Sequence, residues 1–245
     1  KSETGYKNLT KLSSLSYLKN KTKTDPSCTL KDLIDNSEDL ILLTGNYTNF
    51  FGKLFHQNKL KDFQEILNSL KKTFKNRIYL EIQRHNEIQE KNFENYLLNI
   101  SKSLQLPLIA TQEIFYLNEE MYEAHDALVC IGEKKFVDDK DRFRYSNQHY
   151  FKSQAELERL YSDIPEALEN NYNFHLRFNF KPKKSKPILP SIATKESKSP
   201  EEELYKLAKK GLENRLENFI LKKDNNESYD QTKKKYEDRL KHEID

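Results

Sequence analysis

Arg77-Ile-Tyr-Leu-Glu-Ile-Gln-Arg-His85 is the stretch on which the reading of this chain turns. Ile78, Leu80 and Ile82 alternate with Tyr79, Glu81 and Gln83. Branched and aromatic residues in period two suit a pleated surface, so the spacing predicts a strand. Its C-terminal end delivers a histidine. Two short apolar runs bracket it, Asp-Leu-Ile-Leu-Leu-Thr-Gly over 39–45 and Pro-Leu-Ile-Ala-Thr over 107–111. Each reads as a strand buried on both faces. The segments between carry helical stripes. Leu60, Phe63, Leu67, Leu70 and Phe74 form one, and Phe93, Leu97, Ile100 and Leu104 form the next. Strand, helix, strand, helix, strand predicts an α/β fold with a parallel sheet or barrel and right-handed crossovers. Chemistry in such folds sits at the C-terminal strand ends, here residues 44–46, 84–85 and 111–115.

Composition narrows the classes. The chain has 245 residues, 33% charged and 36% hydrophobic, enough for one sizeable domain or a domain and part of another. Lys and Arg number 42 against 39 Asp and Glu, so the net charge of +3 points to no particular partner. No apolar run approaches the ~20 residues of a membrane span and no signal peptide opens the chain. Cys28 and Cys130 show no pairing or metal-ligand spacing, which predicts reduced thiols and a cytoplasmic protein. Five glycines exclude a Gly-rich phosphate loop.

Outside the central unit, residues 5–18 read as a helix that starts without a cap, as though cut from something longer. A turn is expected over 22–27 and a short helix over 29–34. Asn118 is placed to cap a helix whose buried face is Met121, Ala124, Leu128 and Ile131. Ser153 and Glu156 form a capping box, and Pro165 opens the helix that follows. Residues 181–198 hold six lysines and three prolines and read as a linker. Ser199-Pro200-Glu201-Glu202 then starts an amphipathic helix through Leu204, Leu207, Ala208, Leu212 and Leu216, and a weaker helix closes the chain.

Five separated motifs occur in order: Gly5-Tyr-Lys-Asn-Leu-Thr-Lys-Leu-Ser-Ser14, Ile78-Tyr-Leu-Glu-Ile-Gln-Arg-His85, Leu106-Pro-Leu-Ile-Ala-Thr111, Glu123-Ala-His-Asp-Ala-Leu-Val-Cys-Ile131 and Asp163-Ile-Pro-Glu-Ala-Leu168. Together they resemble the N-terminal part of the bacterial DNA polymerase III alpha subunits, the replicative C-family polymerases. Ala208-Lys-Lys-Gly-Leu-Glu-Asn-Arg-Leu216 resembles the place where that family's palm region begins. The resemblance implies a distorted (β/α)7 barrel of the polymerase-and-histidinol-phosphatase (PHP) type over 1–180, here lacking its opening strands. It further implies a linker over 181–198 and the helical start of the palm over 199–245. The catalytic aspartates and their Mg²⁺ would lie beyond this segment, which alone should be inactive. The implied partners are template–primer DNA, nucleoside triphosphates, a proofreading exonuclease subunit and other holoenzyme subunits.

PHP domains with activity bind several metal ions through His, Asp, Glu and Cys at strand ends to hydrolyse phosphoesters. By resemblance, His85 matches a ligand, Asn46 stands where the family has cysteine, and an Asp-x-His aligns with Glu113-Ile-Phe115. Glu113 keeps a donor and Phe115 does not. The expectation is therefore a degenerate pocket, with no catalytic, cofactor or metal residue of this segment in use. His125 and Asp126, adjacent on a helix, are expected to make structural hydrogen bonds. His56, His149, His175 and His242 read as ordinary residues, and the lysines of 181–186 as solvated rather than bound to DNA phosphates. The competing readings are a metal-dependent PHP phosphoesterase or 3′–5′ exonuclease, and a binding module with no enzymatic parent.

Overall fold

A computed structural model describes residues 1–19, 26–188, 199–220 and 229–244. Part of the turn expected over 22–27 and residues 189–198 of the expected linker lie outside them. The chain divides into two compact units, Lys1–Lys183 and Lys184–Asp245.

The first unit is mixed α/β. Strands β1 (Leu42–Leu43), β2 (Ile78–Ile82) and β3 (Leu108–Ala110) form a small sheet in the order β1-β2-β3. Both pairings are parallel, with Leu42 opposite Ile78 and Leu80 opposite Leu108. The residues that alternate in the sequence build the centre: Ile78 and Leu80 are fully buried, as is most of β3. β1 is shorter than its apolar run and only half-buried, as befits the sheet edge.

Helices α1 (Glu3–Leu18), α2 (Leu30–Asp35), α3 (Phe50–His56), α4 (Leu60–Phe74) and α5 (Glu90–Leu104) alternate with these strands. The predicted stripes of α4 and α5 are the buried faces: Phe63, Leu67, Leu70 and Phe74 on one, Phe93, Leu97 and Ile100 on the other. Phe51 of α3, a helix the periodicity did not reveal, meets Phe63 edge-on at 4.8 Å between ring centroids. Two N-termini differ from expectation. Ser2 does cap α1, accepting from the Gly5 N–H at 3.3 Å, whereas Asn118 makes no side-chain cap bond.

After β3 come α6 (Tyr122–Glu133), α7 (Gln154–Leu160) and α8 (Pro165–Phe174). The Ser153–Glu156 capping box is formed in full. α8 closes the free edge of β3. Pro107 O and Thr111 N serve β2, so by alternation the carbonyls of Leu108 and Ala110 point away from it. The Asn170 Nδ2 donates to Leu108 O at 2.8 Å, and the Asn171 Nδ2 donates to Ala110 O. Removing both amides (Asn170→Ala with Asn171→Ala) is expected to cost about 1–2 kcal/mol, since these carbonyls are part-buried rather than sealed. Urea unfolding checks this; an unchanged midpoint would mean water substitutes freely.

One predicted face is reversed. Met121, Ala124, Leu128 and Ile131 of the α6 segment are exposed, Leu128 to 62% and Ile131 to 74%, while Asp126 and Cys130 are buried. The cause is electrostatic. The loop after α6 returns across its polar side, and the Arg142 guanidinium donates to both Asp126 oxygens at 2.6 Å. A buried bidentate ion pair thus holds the side that periodicity assigned to solvent.

In the second unit, α9 (Pro200–Arg215) begins at Ser199, whose side chain accepts from the Glu202 N–H, with Pro200 in the first turn. α10 (Tyr229–Ile244) follows.

Candidate functional site

Because the strands run parallel, their C-terminal ends lie together, and a hydrogen-bonded network joins all three. Glu81 of β2 is its hub. Its carboxylate accepts from the Gly45 N–H at 3.0 Å, from Gln83 Nε2 at 3.1 Å and from the Thr111 hydroxyl. Gly45 has φ +81°, which places its amide where a residue with a β-carbon would be strained. Gln83 also donates to Thr111 Oγ1 at 2.9 Å and accepts from Asn46 Nδ2 at 2.8 Å. The Asn46 Oδ1 is spent on its own turn, accepting from the Thr48 N–H at 3.0 Å and hydroxyl at 2.7 Å.

His85, just past β2, is buried to 1% exposure and fully bonded. Its Nε2 accepts from the Glu113 N–H at 3.2 Å, which puts the ring proton on Nδ1, facing Glu90 Oε1 at 3.1 Å. Glu90, at the start of α5, also accepts from the His85 N–H at 2.8 and 2.9 Å and from the Glu87 N–H at 3.0 Å. His149 lies flat on His85, with centroids 4.0 Å apart and planes 5° apart, and its Nδ1 contacts Glu113 O at 3.2 Å. Two stacked imidazoles therefore hold the amide and the carbonyl of one residue. Burial, with His85 alongside, pulls the His149 pKa down to about 4, so this ring is neutral. Phe115 continues the stack on His149 at 5.0 Å and on His125 at 5.2 Å.

The segment 145–151 straps this stack down. The Ser146 hydroxyl donates to His85 O at 2.5 Å, the Phe115 N–H to His149 O at 2.9 Å, and the Phe151 N–H to Tyr116 O at 3.0 Å.

The predicted residues are thus brought to one end of the sheet but not into a ligand shell. His85 meets Glu113 through the latter's backbone, and the Glu113 side chain is exposed. Asn46 is tied to Gln83, and Phe115 offers a ring instead of a donor. The space bounded by Asn46, Tyr47, Gln83 and Glu90 is about 10 Å³, the lower limit for a single water. Among the described residues, no three His, Cys, Asp or Glu side chains stand close enough to share a metal ion. The donor set does not fit the metal cluster that the PHP resemblance implies.

Glu90, His149 and the Glu81 hub escaped the sequence reading. For Glu90 a signal existed, an acid in the first turn of a helix closely following the strand-end histidine. For His149 there was none, since its surroundings come from β2 and from the segment after β3. His125 keeps a buried Nδ1 without a hydrogen-bond partner, whereas Asp126 makes the structural pair anticipated for it. Hydrogen bonding to Arg142 holds the Asp126 carboxyl below the usual carboxylate range. A depressed folded pKa contributes stability that is present above the unfolded value near ~4 and is lost as pH falls through the folded one. Melting followed from pH 6 to pH 2 is expected to show that loss below about pH 4, and Asp126→Asn to flatten it. An unchanged acid slope in the variant would refute the coupling.

Residues 1–85 match the family model described as PHP domain. The chain is 35% identical over 89% of its length to DNA polymerase III subunit alpha of Caulobacter vibrioides, covering 19% of that protein. It is 34% identical over 100% of its length to the subunit of Rickettsia prowazekii and 31% over 98% to that of Pseudomonas aeruginosa, covering 21% and 20% of them. The chain thus spans about a fifth of the length of the curated relatives it matches. The resemblance first carried by five short motifs extends across nearly every residue, and the chain is a relative of the DNA polymerase III alpha subunits that carries a PHP-domain match.

Proposed function

We propose that this chain serves as part of the catalytic alpha subunit of a bacterial replicative DNA polymerase, in which its PHP portion is a scaffold and docking domain with a degenerate metal pocket. The similarity to DNA polymerase III alpha subunits over nearly the whole chain supports the first half of that reading. One observation carries the second half: both ring nitrogens of His85 are committed inside the protein, to the Glu113 N–H and to Glu90. A metal-activated water needs ligands with free lone pairs directed at one point. Here the imidazole that matches a family ligand spends its lone pair on a peptide N–H.

On this reading the small parallel sheet belongs to a distorted (β/α)7 barrel without its opening strands, residues 1–180 form the PHP portion, 181–198 a linker and 199–245 the start of the palm. Nucleotidyl transfer, with its Mg²⁺, belongs to the longer polypeptide. Its partners are template–primer DNA, nucleoside triphosphates, a separate proofreading exonuclease subunit and the rest of the holoenzyme, in the cytoplasm. No helix among the described residues is long and apolar enough to cross a membrane.

The test uses the complete gene product, purified free of exonuclease, beside the chain 1–245. The complete protein is expected to extend a primer and the segment to have no such activity. Neither is expected to degrade a labelled single strand with Mn²⁺ or Zn²⁺, and His85→Ala is expected to leave that baseline unchanged. Metal-dependent hydrolysis abolished by His85→Ala would overturn the degenerate-pocket reading in favour of a PHP exonuclease. A complete product without primer extension would overturn the polymerase reading.

A further inference from the structure

The reversed face of α6 has a regular spacing. Met121, Ala124, Leu128 and Ile131 follow one another at intervals of three, four and three residues, and all four are exposed. At 100° per residue the three within α6, Ala124, Leu128 and Ile131, fall within one narrow stripe on the side opposite the buried Asp126 and Cys130, and Met121 extends it from the 3-10 turn just before the helix. An apolar stripe set against solvent while a carboxylate faces the interior inverts the order of a surface helix. The inversion is fixed, because the Asp126–Arg142 pair prevents the helix from rolling its apolar side inward.

We propose that this stripe is a docking seam for an α-helix of the same polypeptide lying outside residues 1–245, a proposal that rests on the reading of the chain as part of a longer alpha subunit. The shape of the occupant comes from the spacing. Alternating intervals of three and four are those at which one helix receives the side chains of another, crossing at roughly 20°. A strand or an irregular loop has no such period.

The covalent link comes from area. α6 has 12 residues, hence a length of about 18 Å, and a stripe about 10 Å wide on it covers on the order of 200 Å². A stable complex between separate proteins needs ~800 Å² on each partner. A seam this small is occupied when its partner is tethered, because a linker raises the effective concentration to the millimolar range. The relatives supply the tether: the chain accounts for 19–21% of their length, so four-fifths of such a polypeptide lies elsewhere. Glu123 near one end of the seam and Lys134 at the other are both exposed. They select a helix with a basic residue beside the first and an acidic one beside the second.

The experiment uses the complete gene product in a Cys28→Ser background. Maleimide labelling of Ile131→Cys is compared with that of Tyr172→Cys, also exposed at 76%. The expected result is labelling at Ile131→Cys at least about tenfold slower in the complete protein, with no such gap in the chain 1–245. A photo-cross-linking residue at Leu128 is expected to capture a helical peptide from outside residues 1–245 of the same molecule. Equal labelling rates at the two sites, a cross-link inside residues 1–245, or a cross-link to a second, isotope-labelled copy would each overturn the proposal. Primer extension measured on the same preparation separates the two claims. A polymerase with an unprotected seam refutes the docking alone, and a protected seam on a protein without polymerase activity refutes the function alone.

Discussion

Glu90→Ala is expected to destabilise the first unit by about 3–5 kcal/mol, one of the two largest single-residue effects anticipated in this chain. Glu90 is 7% exposed, and its two oxygens answer three separate donors: the His85 N–H, the Glu87 N–H and the His85 ring. Truncation leaves all three facing a methyl group. A buried donor without a partner costs ~1–3 kcal/mol, and water reaching the vacated space recovers part of the sum. The damage spreads, because the His85 ring is what receives the Glu113 N–H and supports His149. At ~2–4 °C per kcal/mol for a unit of this size, the melting temperature should fall by roughly 10 °C. Glu90→Gln, which keeps one acceptor oxygen but turns a donor toward donors, should fall between the two. Urea and thermal unfolding decide the matter. A Glu90→Ala protein within about 1 kcal/mol of the parent would show that the carboxylate is not the anchor of the strand end.

What could be read in the sequence follows from the range of the forces involved. β2, α4 and α5 were legible because the alternation of Ile78, Leu80 and Ile82 and the stripe from Phe63 to Phe74 are local, and each element buries the face its own period marks. The motifs around His85 and Asp126 likewise sufficed to mark the resemblance to the DNA polymerase III alpha subunits, which the comparison with the Caulobacter vibrioides subunit extends over 89% of the chain. The arrangement of the strand ends was not legible. Whether His85 offers a lone pair depends on the Glu113 amide 28 residues on, and on Ser146 holding the strap from 61 residues away. Neither contact leaves a periodic trace. The α6 face failed for a related reason. Periodicity located the stripe of Met121, Ala124, Leu128 and Ile131 correctly, but a stripe does not say what covers it. The Arg142 that claims the opposite side is a loop residue, invisible to any helical pattern.

The other large effect is expected from a single methyl group. Gly52→Ala should cost at least about 3 kcal/mol, at the upper end of what overpacking does in a core. A β-carbon built on Gly52 falls 1.9 Å from the Tyr47 carbonyl oxygen, 2.2 Å from its carbon and 2.4 Å from its Cα. Every one of these is a backbone atom, so no rotamer change relieves the overlap. Either α3 moves away from residues 46–48 or the turn after β1 opens. Both routes are expensive. The first withdraws Phe51 from its contact with Phe63 in the core, and the second breaks the bonds from Thr48 to Asn46 Oδ1 that shape the strand end. Gly132→Ala is the internal control. It lies near the end of α6 with nothing within 4 Å of a new β-carbon, so the same change should be neutral or stabilising by up to ~1 kcal/mol through lower entropy of the unfolded chain. Opposite signs for one substitution at two helical sites isolate steric approach from helix propensity. If Gly52→Ala unfolded at the same urea concentration as Gly132→Ala, the close packing of α3 on the Asn46 turn would be refuted.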